Sequence, residues 1–142
     1  MFTYIGLEAI VARAREGLKA GVALSADELR DDVEDAAPEE GGALKGTVRV
    51  EGGRSSAGAA SASASKRVVA GGGAAFYAVM VHEGTGPHGI EPRDDGALQV
   101  GGAVVEHVDH PGATANKFVE RPLIAHRPRH LATVARACRR AL

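Results

Sequence analysis

Six residues between positions 82 and 110 carry the side chains that a metal site or a proton-transfer site needs: His82, Glu83, His88, His107, Asp109 and His110. Imidazole nitrogens and carboxylate oxygens are ligands that zinc accepts. One reading is therefore a small metal-dependent hydrolase, with His82, His107 and His110 as ligands and Glu83 as general base. The spacing does not support it: there is no H-E-x-x-H and no cysteine pair. His126 and His130 are four apart, but Pro128 lies between them and no general-base glutamate follows His126. The same region spells G-x-G-x-x-G from Gly84 to Gly89. A dinucleotide site requires a helix directly after that turn. The following "HGIEPRDDGALQV" contains Pro92 and Gly96 and shows no amphipathic period, so no cofactor is expected. The serines cluster in a stretch of small residues, which is no place to hold a nucleophile. The stretch reads as a structural turn at Glu83, Gly84 and Thr85. Gly84 ends the preceding element at positive φ, Glu83 accepts backbone N–H groups, and Gly86-Pro87 turns the chain. No catalytic and no metal residue is assigned.

The elements that would have to position these residues follow from periodicity. Leu7, Ile10, Val11, Ala14 and Leu18 form one stripe of a 3.6-residue repeat, predicting a long N-terminal helix. Gly21 is a place for it to break, and Ser25 with Glu28 offers a capping box for a restart that runs to Pro38. Leu44, Val48 and Val50 are spaced for a strand, and "KRVVAG" reads as the strand returning. Between them, residues 52–65 are Gly, Ser and Ala with little to bury, predicting a flexible hairpin loop. "AAFYAVMVHEG" fits either a buried strand or a short helix, and "GGAVVEHVDH" a strand ending at Pro111-Gly112. Pro122 suits the first residue of a closing helix whose stripe is Leu131, Val134, Ala135, Cys138 and Leu142, with Pro128 kinking or restarting it. Cys138 on that stripe reads as buried and inert. Phe118 and Tyr77 read as core, because large apolar groups are scarce. The fold class is α+β: a long N-terminal helix, a small mostly antiparallel sheet and a C-terminal helix, in one domain over 1–142.

Composition restricts function further. Of 142 residues, 27 are alanine and 19 glycine, and tryptophan is absent. A subunit that gains stability from neighbouring copies suits so thin a supply of large apolar groups. Net charge is −1, but residues 27–40 hold eight acids against Arg30, while residues 121–142 hold six arginines and no acid. The two blocks are either two solvated helical faces or opposite ends of the chain that attract, within a subunit or around an assembly. The interface candidates are Asp31, Asp32 and Asp35 on one side and Arg136, Arg139 and Arg140 on the other. The arginines lack aromatic interleaving and no recognition motif is present, which argues against a nucleic-acid module. No basic n-region with an uninterrupted apolar run opens the chain, and no run reaches a membrane span, so synthesis in the cytosol is expected.

Three segments in order resemble a known family. "AAPEEGGALKGTV" resembles the signature closing a long N-terminal helix in the tail-component or neck family of long-tailed phages. "YAVMVHEGT" (Tyr77 to Thr85) resembles that family's "YA-x-x-vE-x-GT", and "HPGATANKFVERPLIAH" (His110 to His126) its segment leading into the C-terminal helix. Gly41, Lys117 and Leu123 stand where the family usually has Thr, Pro and Ala. The resemblance implies a structural virion protein, not an enzyme and without cofactor. It implies a homo-oligomeric ring, six-fold by expectation, at the head–tail junction. The ring, made in the host cytoplasm, would contact head-completion or portal-side and tail-tube or terminator proteins, and DNA would pass through its lumen without specific binding. The acidic segment would serve either as a subunit interface or as the lumen lining.

Overall fold

The computed structural model describes residues 6–39, 42–58, 61–93 and 96–142. It shows the expected α+β class: a long N-terminal helix α1 (Leu7–Ala36), small antiparallel strand pairs and a C-terminal helix α3 (Glu120–Ala141). The chain divides into two compact units, Met1–Phe76 with Phe118–Leu142, and Tyr77–Lys117.

In the first unit α1 is unbroken. Gly21 does not interrupt it and the Ser25 capping box is not used, because Gly21 is where α3 comes closest. A Cβ on Gly21 would lie 2.8 Å from Val134 Cα, and one on Gly17 would lie 2.7 Å from Ala141 Cβ. Glycine in a helix interior costs about 1 kcal/mol of propensity. The close helix approach offsets that cost with contacts that any side chain would prevent. α3 likewise runs through Pro128 without interruption, and it begins two residues before Pro122. Pro122 thus sits in the first turn, where its missing N–H leaves no hydrogen bond unmade. The helix pair is antiparallel, since Gly17 meets Ala141, Gly21 meets Val134 and Ala137, and Asp32 meets His126.

The expected strand from Leu44 to Val50 is shorter than its spacing predicted. Lys45–Thr47 form a single 3₁₀ turn, and β1 is only Arg49–Glu51. The Thr47 hydroxyl explains the change: it donates to Leu44 O at 2.7 Å and accepts from Gly71 N–H at 2.8 Å, fixing a turn at the base of the hairpin. β1 pairs with β4 (Arg67–Val69), and β2 (Ser55–Ala57) with β3 (Ala62–Ala64). Residues 52–65 therefore hold a paired hairpin where an open loop was expected. Ala62 and Ala64 are half-buried while Ser61, Ser63 and Ser65 are exposed, a period of two. β3 lies against α1, and alanine is small enough to let strand and helix approach. The core of this unit gathers Val33, Ala37, Leu44, Val48, Ala75 and Phe118, with Phe118 only 1% exposed.

In the second unit, "AAFYAVMVHEG" resolves as a short helix, α2 (Ala78–Glu83), ended by Gly84 at φ 76. "GGAVVEHVDH" is two strands, not one. β7 (Ala103–Val105) pairs with β6 (Leu98–Val100), and β8 (Val108–His110) pairs with β5 (His88–Ile90). Gly101 and Gly102, at φ 57 and 86, supply the two-residue turn of type I′ that joins β6 to β7. Only Ala78 of this unit is among the buried apolar residues. Among the described residues no helix is long and apolar enough to cross a membrane.

Candidate functional site

The titratable groups that the tertiary structure does bring together lie between α1 and α3. Glu28 and Asp32 are one turn apart on α1, as are His126 and His130 on α3. Asp32, with 13% of its side chain exposed, accepts from His126 Nδ1 at 2.8 Å and from the Arg129 guanidinium. His130 is 7% exposed, with Nδ1 3.4 Å from Glu28 Oε2 and Nε2 3.5 Å from Asp32 Oδ2. Thr133 donates to Glu28 Oε1 at 2.8 Å, and Arg136 donates to that same hydroxyl at 2.9 Å. Burial pushes the Asp32 carboxyl up, but hydrogen bonds from Arg129 and His126 reverse this and hold it below the usual carboxylate range. Such a carboxylate is ionised and engaged by two cationic donors. The cluster fixes how the two helices register.

This network places the interface candidates. Asp31 and Asp35 are exposed, Asp31 in contact with its neighbour Arg30 at 2.6 Å. Asp32 is turned inward and cannot face another molecule, a correction that follows from the four-residue offset placing it with Glu28 on the α3 side. Arg139 and Arg140 are exposed, whereas Arg136 reaches back to Thr133. The two charged blocks thus meet within the subunit, through Glu28 and Asp32 against Arg129 and the histidines.

The apolar stripes behave in the opposite way. Leu131 and Leu142, read from periodicity as the packing face of α3, are 61% and 64% exposed, and Ile124 on the same stripe is 65% exposed. Cys138, expected buried, is a half-buried free thiol. On α1, Leu7 and Ile10 are exposed as well, because Gly17 already lies opposite Ala141 and the first turns run past the end of α3. The faces that meet are glycine, alanine, threonine, histidine and carboxylate.

Of the histidines in the second unit, only His88 and His110 are in ring contact with each other. His82 Nδ1 lies 2.8 Å from Glu83 Oε1, and Glu83 also takes the Lys117 ammonium. Lys117 first and His82 second lower the Glu83 carboxyl, so it stays ionised and engaged with side chains and not with the backbone N–H groups of its turn. His107 Nε2 bonds Asp109 at 2.8 Å, and its ring lies against Gly89, where a Cβ would be 2.6 Å away. His88 and His110 face each other across β5 and β8 with ring centroids 5.0 Å apart. Their tautomers are opposite. His88 Nδ1 must donate to Gly86 O at 2.9 Å, while His110 Nδ1 accepts from Gly112 N–H at 3.0 Å. His110 therefore carries its proton on Nε2, the nitrogen that a shared metal would need bare. Among the described residues no three His, Cys, Asp or Glu side chains group to hold a metal ion. The glycine motif leads into β5 and not into a helix, so no helix N-terminus faces it. Thr85 instead bridges to Ala113, with reciprocal N–H···O bonds of 2.9 and 3.0 Å.

Comparison of the chain with family models, with curated proteins and with solved structures finds no match. The residues that sequence reasoning missed are Gly17, Gly21, Glu28, Arg129 and His130. Their signal was present: glycines four apart on α1, alanines four apart (Ala137, Ala141) on α3, and carboxylate and imidazole pairs at the same four-residue spacing.

Proposed function

We propose that this protein is a structural ring subunit of the head–tail junction of a long-tailed phage, joining the tail to the DNA-filled head and completing the DNA conduit. The observation that carries the reading is the inversion of burial on the two long helices. Their small and polar residues are packed together, while Leu7, Ile10, Ile124, Leu131 and Leu142 are left exposed. An isolated monomer gains nothing from that arrangement, whereas a subunit whose neighbours cover those stripes does. The order of the three family-like segments supplies the identity of the assembly. The described residues add support, since no three of their His, Cys, Asp or Glu side chains group to hold a metal ion.

In this reading the partners are copies of the same chain, a head-completion or portal-side protein above and a tail-tube or terminator protein below. DNA passes through the lumen without sequence-specific contact. Native mass spectrometry of the purified full chain, with electron microscopy of the same sample, tests it. Closed rings without bound metal are expected, six-fold by the family resemblance. A monomer carrying stoichiometric zinc would overturn the proposal and return the His82, His107 and His110 hydrolase to first place.

A further inference from the structure

We infer that the outer apolar stripe of α3 is a docking surface for the exposed acidic edge of α1 from a second copy of this chain. The inference rests on the ring reading above and names the two surfaces that close the ring. On α3, the residues facing α1 are Pro122, His126, His130, Thr133, Ala137 and Ala141. At 100° per residue, the opposite side carries Ile124, Leu131 and Leu142, each more than 60% exposed. Arg127 flanks this stripe on one side and Arg139 on the other, both exposed. The surface is therefore an apolar strip with an exposed arginine on each side.

The complementary surface is on α1. Gly17, Gly21, Glu28 and Asp32 face α3, and Leu24, seven residues after Gly17, borders that side and is nevertheless 55% exposed. Asp27 and Asp31 follow Leu24 at three and seven residues, and their side chains are 55% and 62% exposed. Arg30 lies between them and touches both, and Glu34 and Asp35 beyond are also exposed, so this half of α1 remains net acidic. An apolar residue among acids fits an apolar strip among arginines. Pairing α3 with α3 would instead set arginines against arginines. The favoured contact is thus between two unlike surfaces of successive copies. A contact of that kind repeats head to tail and closes into a ring when the rotation allows.

A charge-exchange experiment on the full chain tests the contact by sedimentation velocity and native mass spectrometry. One variant carries Asp27→Arg with Asp31→Arg, the other Arg127→Glu with Arg139→Glu. Each alone should remain monomeric at concentrations where the unaltered chain is assembled. Their equimolar mixture should assemble again with strictly alternating subunits, equal numbers of each, because the reversed α1 of one now meets the reversed α3 of the other. Leu131→Lys, which changes no partner charge, should weaken assembly and should not be rescued by either variant. If both charge variants assemble like the unaltered chain, rings persist but this contact is wrong, and the ring reading stands without it. A mixture that stays monomeric shows that the two surfaces do not face each other and likewise overturns the contact. An unaltered chain that is monomeric at every concentration overturns the contact and the ring reading together.

Discussion

The α1–α3 seam and the Tyr77–Lys117 unit both hold histidines beside carboxylates, yet only the seam buries them. In the seam, His130 is enclosed between Glu28 and Asp32, Thr133 donates to Glu28 Oε1, and Arg129 and His126 share Asp32 Oδ2. In the second unit, His88 and His110 face each other across one strand pair, β5–β8, and His107, just before β8, bonds Asp109. The seam holds two carboxylates and two imidazoles together, with His130 Nδ1, His130 Nε2 and Glu28 Oε2 in ion-pair reach but without a hydrogen bond. The second unit brings only His88 and His110 into ring contact with each other and leaves His88 exposed and His110 half-buried. Residue type near a turn is thus a poor guide to an active site, because long-range helix packing decides which imidazole meets which carboxylate.

Four variants would break or sharpen this contrast. The largest effect is expected from Phe118→Ala, which removes the most voluminous fully buried side chain of the first unit. A loss of about 3–4 kcal/mol is expected from the cavity it leaves, measured by urea unfolding. Next is Gly21→Val, whose branched side chain cannot fit against Val134. It should cost about 2–3 kcal/mol and reduce the helical signal without touching any charge. A neutral result would mean that the helices are not in close contact at Gly21.

Asp32→Asn should cost about 2 kcal/mol near neutral pH, less than a fully buried pair because Arg129 and His126 are nearly half exposed. Its pH dependence has a definite sign. The folded-state carboxyl titrates below the unfolded one, so its contribution is complete above about 3.9 and is lost as pH falls through the lower, folded value. Unfolding curves of the native chain and of Asp32→Asn should differ at pH 6 and converge towards pH 2. Parallel curves across that range would remove Asp32 from the seam. Smallest is His88→Ala with His110→Ala, expected to leave the melting temperature and the assembly state unchanged. A large loss there would show that the second unit depends on its histidine stack.

Much of the fold was legible because local rules govern it. The 3.6-residue stripes located both long helices, and a turn rich in glycine and proline marked the corner after α2. The alternation of serine and alanine in residues 61–65 also spelled a strand, but low side-chain bulk disguised it, since a strand of alanine packs only where a helix with room approaches. The helix faces were misread for a related reason. Periodicity finds the apolar side of a helix and assumes that this side is inward. Here Gly17, Gly21, Ala137 and Ala141 allow a closer approach than the leucines would, so the small side wins within the subunit and the apolar stripe is left outside.

By itself, then, the amino-acid order determined the class of fold, the places of the long helices and the thinness of the core. These follow from side-chain volume and backbone preference, which are properties of short segments. Which face of each helix is inside, that Asp32 is consumed by Arg129 and His126, and that only His88 and His110 of the second unit come into ring contact with each other were decided only by tertiary structure. The first two outcomes depend on the packing of residues far apart in the chain, 97 positions for Asp32 and Arg129 and 105 for Glu28 and Thr133. No local periodicity carries that information.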